Sequence, residues 1–261
     1  MIRHIYKYDI NQIKVIYLLY YLLKILNKMK TTKTLTIGEI AAQRPESQAI
    51  FEKYHIDYCC GGKQTLEAAC EVLNIPVEKM LNELQSIDNE KIGEGDPVHL
   101  PPVELIEYIQ DTHHEYIRTA GPVIIDMFNK VVDKHGGEYP YLIGLSTLFY
   151  ELHVDLLQHM LKEEKVLFPA IRQLMGAGKP DDMKIPDGMK LDFPVSNMEL
   201  EHDRAGRLME EMRKVSDNYR LPENSCITWQ NLYRHIDDFE KDLHRHVHLE
   251  NNVLFPFAVS L

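Results

Sequence analysis

An all-α fold is expected, with a small helical domain followed by an up-down bundle of four long helices. Three observations predict it. Beyond residue 101, apolar side chains recur with a helical period in four segments, about 102–134, 141–176, 194–219 and 223–259. The breaks between them are His135-Gly136-Gly137, the stretch from Gly176 to Asp192, and Leu221-Pro222-Glu223, all rich in residues that end helices and start turns. None of these breaks carries a β-hairpin signal. Four amphipathic helices joined by short or medium loops bury their apolar faces most economically side by side.

The elements ahead of the bundle follow in order. Residues 1–30 form an N-terminal extension. Its apolar run from Val15 to Leu23 lies between Lys14 and Lys24 and is too short for the roughly 20 residues needed to cross a bilayer. No small-residue cleavage site follows it. Three readings stay open: a helix lying on a membrane surface, since six of these residues are basic and only Asp9 is acidic; an extra helix packed on the domain; or a true start at Met29. Residues 31–88 read as short helices, with Thr36 or Gly38 opening one, Pro45 interrupting, Gly61-Gly62 ending a segment and Pro76 beginning another. Residues 89–101 hold Gly93, Gly95, Pro97 and Pro101 and form a linker. The bundle then spans residues 102–261.

Charge narrows the function. The net charge is −11, from 29 basic and 40 acidic side chains. Such a balance argues against nucleic acid as a partner, because that binding relies on Lys and Arg to neutralise phosphates. An acidic bundle suits a cation. Only four cysteines occur, Cys59, Cys60, Cys70 and Cys226, and their spacing is no disulfide framework, so a reducing compartment is expected. Histidine is abundant at 13 residues, most of them beyond residue 98.

The histidines fall into a repeat. His159 and Glu163 are followed by Val166-Leu167-Phe168-Pro169, and His246 and Glu250 by Val253-Leu254-Phe255-Pro256, so H-x-x-x-E-x-x-V-L-F-P occurs twice, 87 residues apart. His114-Glu115 and His202-Asp203 recur at an offset of 88. On a helix, positions i and i+4 share a face. His159 with Glu163, and His246 with Glu250, can therefore each present an imidazole and a carboxylate to one point, with His114 and His202 arriving from the other two helices. Six protein ligands would saturate one ion. Divided between two ions with both glutamates bridging, they leave each with room for an exogenous ligand. Imidazole plus carboxylate suits iron, with manganese a substitute, better than a thiolate-preferring zinc site. A lone histidine on a helix is usually a satisfied core or surface residue, but two matched pairs with the same sequel are not explained by solvation. Between the neighbours His113 and His114, only one is expected to face the core, and the matched offset favours His114. His99, His135, His153, His235, His244 and His248 are expected on surfaces or loops. Asp155, one turn before His159, and Glu201, beside His202, are candidates to orient a ligand or carry protons.

The stretch Tyr54-His55-Ile56-Asp57-Tyr58-Cys59-Cys60-Gly61-Gly62-Lys63-Gln64-Thr65-Leu66, followed by the histidine repeat, resembles the iron–sulfur cluster repair proteins (Repair of Iron Centers family) over about residues 34–261. The resemblance implies a small Cys-Cys domain ahead of a hemerythrin-like bundle with two non-haem iron ions, oxo- and carboxylate-bridged. It implies a cytoplasmic, often dimeric protein that helps restore clusters damaged by nitric oxide or peroxide. Carried over by motif, it implies the metal ligands His114, His159, Glu163, His202, His246 and Glu250, and a functional role for Cys59 and Cys60. This sequence departs from the pattern in its first thirty residues and in having His where Tyr is expected at position 113. Adjacent thiols close only a strained ring, Gly61-Gly62 allows close backbone approach, and Lys63 could favour thiolate. Such a pair could hold or pass on iron or carry redox equivalents, or simply end a helix.

Three functions compete: donation of iron or reducing chemistry to damaged clusters of iron–sulfur proteins, reduction of nitric oxide at a di-ferrous centre, and reversible binding of dioxygen. The even division of ligands between the halves, together with the Cys-Cys domain, disfavours the oxygen carrier, because oxygen-carrying hemerythrins use a more asymmetric set with five histidines.

Overall fold

The computed structural model of the chain describes residues 32–87, 96–182, 184, 186 and 189–261. The expectations for residues 1–30, and for the linker up to residue 95, lie outside them. Among the described residues the regular structure is helical, apart from an isolated bridge between Thr36 and Thr65. No helix among them is long and apolar enough to cross a membrane. The chain divides into two compact units. One takes the described residues up to Ile106 with Lys165–Asp192 and His248–Leu261; the other takes Glu107–Glu164 and Phe193–Val247. The ends of two bundle segments thus belong to the same unit as the small N-terminal domain.

Within the first unit, four short helices surround one core: α1 (Ile37–Gln43), α2 (Ser47–Lys53), α3 (Leu66–Val72) and α4 (Val77–Gln85). Thr36, not Gly38, opens α1, through a reciprocal capping box with Glu39 that satisfies two otherwise orphaned backbone donors. Pro45 falls in the break between α1 and α2, and Pro76 caps α4. Ile37, Phe51, Leu66, Met80 and Leu84 are fully buried, and Tyr58 nearly so. Tyr58 carries the Cys-Cys turn out of this core. Gly61-Gly62 lies inside that turn, well past the end of α2.

Four segments supply the bundle, the larger part of each in the second unit. The first runs through α5 (Pro102–Tyr108), a π turn (Ile109–His114) and α6 (Glu115–His135). The second runs through α7 (Tyr141–Lys162), a π turn (Glu163–Leu167) and α8 (Phe168–Leu174). The third is α9 (Asp192–Val215), and the fourth is α10 (Ile227–Leu249), a π turn (Glu250–Leu254) and α11 (Phe255–Val259). The third segment stops earlier than the expected 219. Ser216 turns its hydroxyl back to the carbonyl of Met212, Asn218 N–H closes on the carbonyl of Arg213, and Asp217, Asn218 and Tyr219 take left-handed backbone.

One stripe per helix builds the core. On α7 it reads Leu142, Leu145, Phe149, Leu152 and Leu156, all buried, and its next steps are His159 and Glu163. On α10 it reads Leu232, Ile236, Phe239 and Leu243, then His246 and Glu250. The polar side chains of the repeat therefore occupy core register positions of helices whose other core positions are apolar. Phe149 and Phe239 meet edge to face at 5.3 Å and fill the middle of the bundle beside this polar end.

Candidate metal centre

Each π turn begins or ends on one of the repeat's residues: His114 closes the first, Glu163 opens the second and Glu250 opens the third. The repeat explains two of them. Pro169 and Pro256 follow at a constant distance. Proline has no N–H to donate, and its ring crowds the carbonyl four residues back. Widening the preceding turn relieves that crowding, and such turns gather at functional sites.

The result brings six buried side chains together. His114, Glu163, His246 and Glu250 place ligand atoms within 4.8 Å of one another, and so do His159, Glu163, His202 and Glu250. Both glutamates belong to both groups. Glu163 shows how: its Oε1 lies 3.3 Å from His159 Nε2 and its Oε2 lies 3.4 Å from His114 Nε2. One carboxylate thus offers a separate oxygen to each group. Glu250 stands one turn beyond His246 on the same continuous segment. All six residues are 3% exposed or less. Placing two carboxylates in such a site is costly unless cations accompany them. Four imidazoles and two carboxylates form a nitrogen and oxygen donor set that fits divalent iron or manganese.

Two further acids fix the imidazoles. Glu164 meets His114 Nδ1 at 2.7 Å, and Glu201 meets His159 Nδ1 at 2.9 Å, so the Nε2 atom of each ring is left to face the centre. Burial opposes ionisation of Glu164, but its bonds to His114 and Arg118 outweigh this and bring it down to about 2. The bond to His159 does the same for Glu201, against partial burial and with help from Lys162, again to about 2. Glu164 also lines a pocket of about 480 Å³ with Gln110, Asp111, Glu115 and Arg118. Asp155 belongs to neither group of ligand atoms; it pairs with Arg204 at 2.9 Å.

Three histidines sit differently from expectation. His113 and His114 are both buried, where only one was expected to face the core. His113 Nδ1 meets Asp242 at 2.9 Å, and its ring lies parallel to that of His246 at 5.6 Å. His153 is buried against Gly121, where a Cβ would come within 2.1 Å of its Nε2, and burial lowers its pKa. His248 is fully buried, with its Nδ1 3.1 Å from Asn252 Nδ2 and its ring edge-on to Tyr58. The one available signal for His113 was its place beside His114; for His248 it was the run His244-Arg245-His246-Val247-His248.

The thiol pair is held by Asp57. Its Oδ1 accepts the N–H groups of Cys59 and Cys60, both at 2.9 Å, and its Oδ2 accepts that of Gly61 at 2.9 Å. Cys59 Sγ also donates to Asp57 Oδ1. The Cys60 thiol beside it and full burial push Cys59 well above the usual thiol range. The carboxylate adds to this and favours a protonated Cys59. The two sulfurs lie 3.8 Å apart and are not bonded, and Cys60 is partly exposed.

A helical bundle with paired H-x-x-x-E segments defines a hemerythrin-type cation-binding protein. Residues 105–258 match the hemerythrin HHE cation binding domain, and residues 33–88 match a domain of unknown function (DUF542). The chain belongs to the family of iron–sulfur cluster repair proteins. It is 38% identical over 224 residues to the iron–sulfur cluster repair protein YtfE of Escherichia coli, which covers 86% of this chain and 96% of the relative. The proteins of the same name from Shigella boydii serotype 4 and Citrobacter koseri give the same identity and coverage.

Proposed function

We propose that this protein holds two non-haem iron ions between His114, His159, Glu163, His202, His246 and Glu250, and that it repairs iron–sulfur clusters damaged by nitrosative or oxidative stress by giving up iron. The observation that carries the reading is the sharing of Glu163 and Glu250 by both groups of ligand atoms. Two carboxylates common to two sets of imidazoles suit a carboxylate-bridged pair, to which an oxo bridge would be added in the oxidised state. The relatives are iron–sulfur cluster repair proteins, which supports this activity, and iron–sulfur proteins are the implied partners.

Bound iron would supply Lewis acidity and one-electron chemistry. The chain's own residues do the rest. Glu164 and Glu201 hold His114 and His159 with Nε2 inward, and burial of all six residues keeps bulk water from the centre. Asp57 fixes the turn that presents the partly exposed Cys60 to a docking thiol protein. Imidazole and carboxylate ligands would hold ferrous iron less tightly than a thiolate cage, so these residues would give it up to a thiol-lined acceptor. We place the protein in the cytoplasm, as a homodimer.

Two measurements test this. Purified protein loaded with ferrous iron should hold about two irons per chain and, once oxidised, show near-ultraviolet absorption of an oxo-bridged di-ferric centre. Incubation with an iron–sulfur enzyme inactivated by nitric oxide should restore that enzyme. No recovery, with wild type and Cys59→Ser alike, overturns the repair reading.

A second reading has its own support. Each group of ligand atoms draws on four residues, which leaves coordination positions for a small molecule. On that reading the centre reduces nitric oxide or binds dioxygen. Stopped-flow mixing of the reduced protein with each gas separates the two.

A further inference from the structure

We propose that Asn251 and Asn252 are positioning residues that transmit the state of the Cys59-Cys60 turn to Glu250, so that iron retention depends on whether the two thiols are free or joined. The inference rests on the metal-centre reading and adds a regulatory link to it.

The residues that follow Glu250 in its π turn are the ones that grip the thiol turn. Asn251 Nδ2 donates to the carbonyl of Cys59 at 3.4 Å, and Asn252 Nδ2 donates to the carbonyl of Tyr58 at 3.2 Å. The Cys59 carbonyl belongs to the peptide bond between the two cysteines. Asn252 Nδ2 also reaches the buried His248 Nδ1 at 3.1 Å, which uses both hydrogens of the amide. Two glycines fix the other end of Asn252. A Cβ at Gly38 would lie 2.1 Å from Asn252 Oδ1, and one at Gly62 would lie 3.1 Å from the same atom and 2.8 Å from the carbonyl of Tyr58. Gly38 N–H in turn bonds the carbonyl of Gly62 at 2.9 Å. The asparagine is therefore seated in a slot lined by glycine backbone, where larger residues do not fit.

Joining the thiols must disturb this arrangement. Adjacent Cα atoms are about 3.8 Å apart across a trans peptide, whereas disulfides ordinarily span about 4.4 Å or more. Closing the pair twists the Cys59-Cys60 peptide and displaces the carbonyl that Asn251 holds. Asn251 and Asn252 sit one and two residues from Glu250 in a π turn, whose widened hydrogen bonds adjust more readily than those of an α-helix. The chemistry balances with a hydroperoxide as oxidant. Both S–H bonds break and one S–S bond forms. The two electrons and two protons pass to the peroxide, which leaves as an alcohol and water.

The test uses full-length protein treated or not with one equivalent of hydrogen peroxide while metal-free, freed of peroxide, then loaded with ferrous iron and challenged with a ferrous chelator. Treatment should speed iron release in wild type by about tenfold, the scale on which groups that orient ligands act. Cys60→Ser, which cannot close the pair, and Asn252→Ala, which breaks the link, should release iron at the same rate with and without peroxide. Hydrogen exchange across Glu250–Leu254 in metal-free protein gives a readout that needs no iron. It should rise on oxidation in wild type and stay level in Cys60→Ser. Equal exchange in oxidised and reduced wild type overturns the link even if the protein binds iron. Altered exchange in a protein that binds no iron would keep the mechanical link and sink only the metal-centre reading.

Discussion

The two halves of the bundle repeat one ligand pattern and then part company. Counting 87 residues from half to half, Glu163 corresponds to Glu250, and Glu164 and Lys165 correspond to Asn251 and Asn252. In the first half the residue after the shared glutamate is a charged group that fixes the His114 ring and pairs with Arg118. In the second it is a neutral amide that grips the Cys59 carbonyl. A second pair differs in the same way. His153 and Glu240 occupy corresponding positions, both are buried, and burial pushes each toward its uncharged form: His153 downward, Glu240 up to about 7 against the pull of Arg213 and Tyr219. On the proposed reading, coordination would constrain the ligands of both halves alike and leave the positions around them free to specialise.

The largest expected effect removes what the halves share. Glu163→Leu and Glu250→Leu should each lose most of the bound iron, measured as metal per chain after loading, because each deletes a carboxylate common to both groups. Full occupancy in either variant would contradict the proposed ligand set. Next come the groups that anchor imidazoles. Glu164→Ala and Glu201→Ala should weaken iron binding by about 10–100-fold in a chelator competition. Asn251→Ala should leave affinity in reduced protein closer to wild type, since the amide is not bonded to an imidazole that coordinates.

Thermal melting of metal-free protein against pH sharpens the second contrast. Glu240 has a folded pKa raised above 4.5, so its contribution to stability is present below 4.5 and is lost as pH rises through about 7. The loss is on the order of 3 kcal/mol across that window. His153 has a folded pKa lowered below 6.5, so stability falls as pH drops below 6.5. The two slopes oppose each other. Glu240→Gln should therefore leave melting temperatures that climb as pH rises toward 6.5, and His153→Gln should steepen the fall between 4.5 and 7. Parallel profiles in the two variants would show that neither group titrates as its burial requires. The smallest effect belongs to Asp155. Its partner Arg204 is half exposed, so Asp155→Asn should change stability by about 1 kcal/mol or less and leave iron content as it was.

The bundle and its four segments were legible because helical periodicity and Gly- and Pro-rich breaks are local signals. The six side chains that compose the two groups were legible for a different reason: a duplicated spacing of imidazole and carboxylate has no source in packing or solvation. What stayed hidden depended on three-dimensional detail. The π turns left only the proline at constant offset as a clue, and the burial of His113 beside His114 depends on the residues that cover it. His248 reads as an exposed neighbour of His246 until Tyr58 and Asn252 cover it. The protonated state of Cys59 was not legible either, because its main causes, the neighbouring Cys60 thiol and burial, depend on how the turn folds back on itself.

The π turns also change how the long segments are addressed. An extra residue in one turn rotates everything beyond it by about a hundred degrees. On the second segment, the wall that points His159 and Glu163 inward does not dictate which wall packs Phe168 and Ile171 afterwards. A single inserted amino acid thus lets one rod carry two independent faces, one selected for coordination and the next for greasy contact. Deleting a residue between Glu164 and Leu167 would restore phase, and the tail that now packs would be turned toward water.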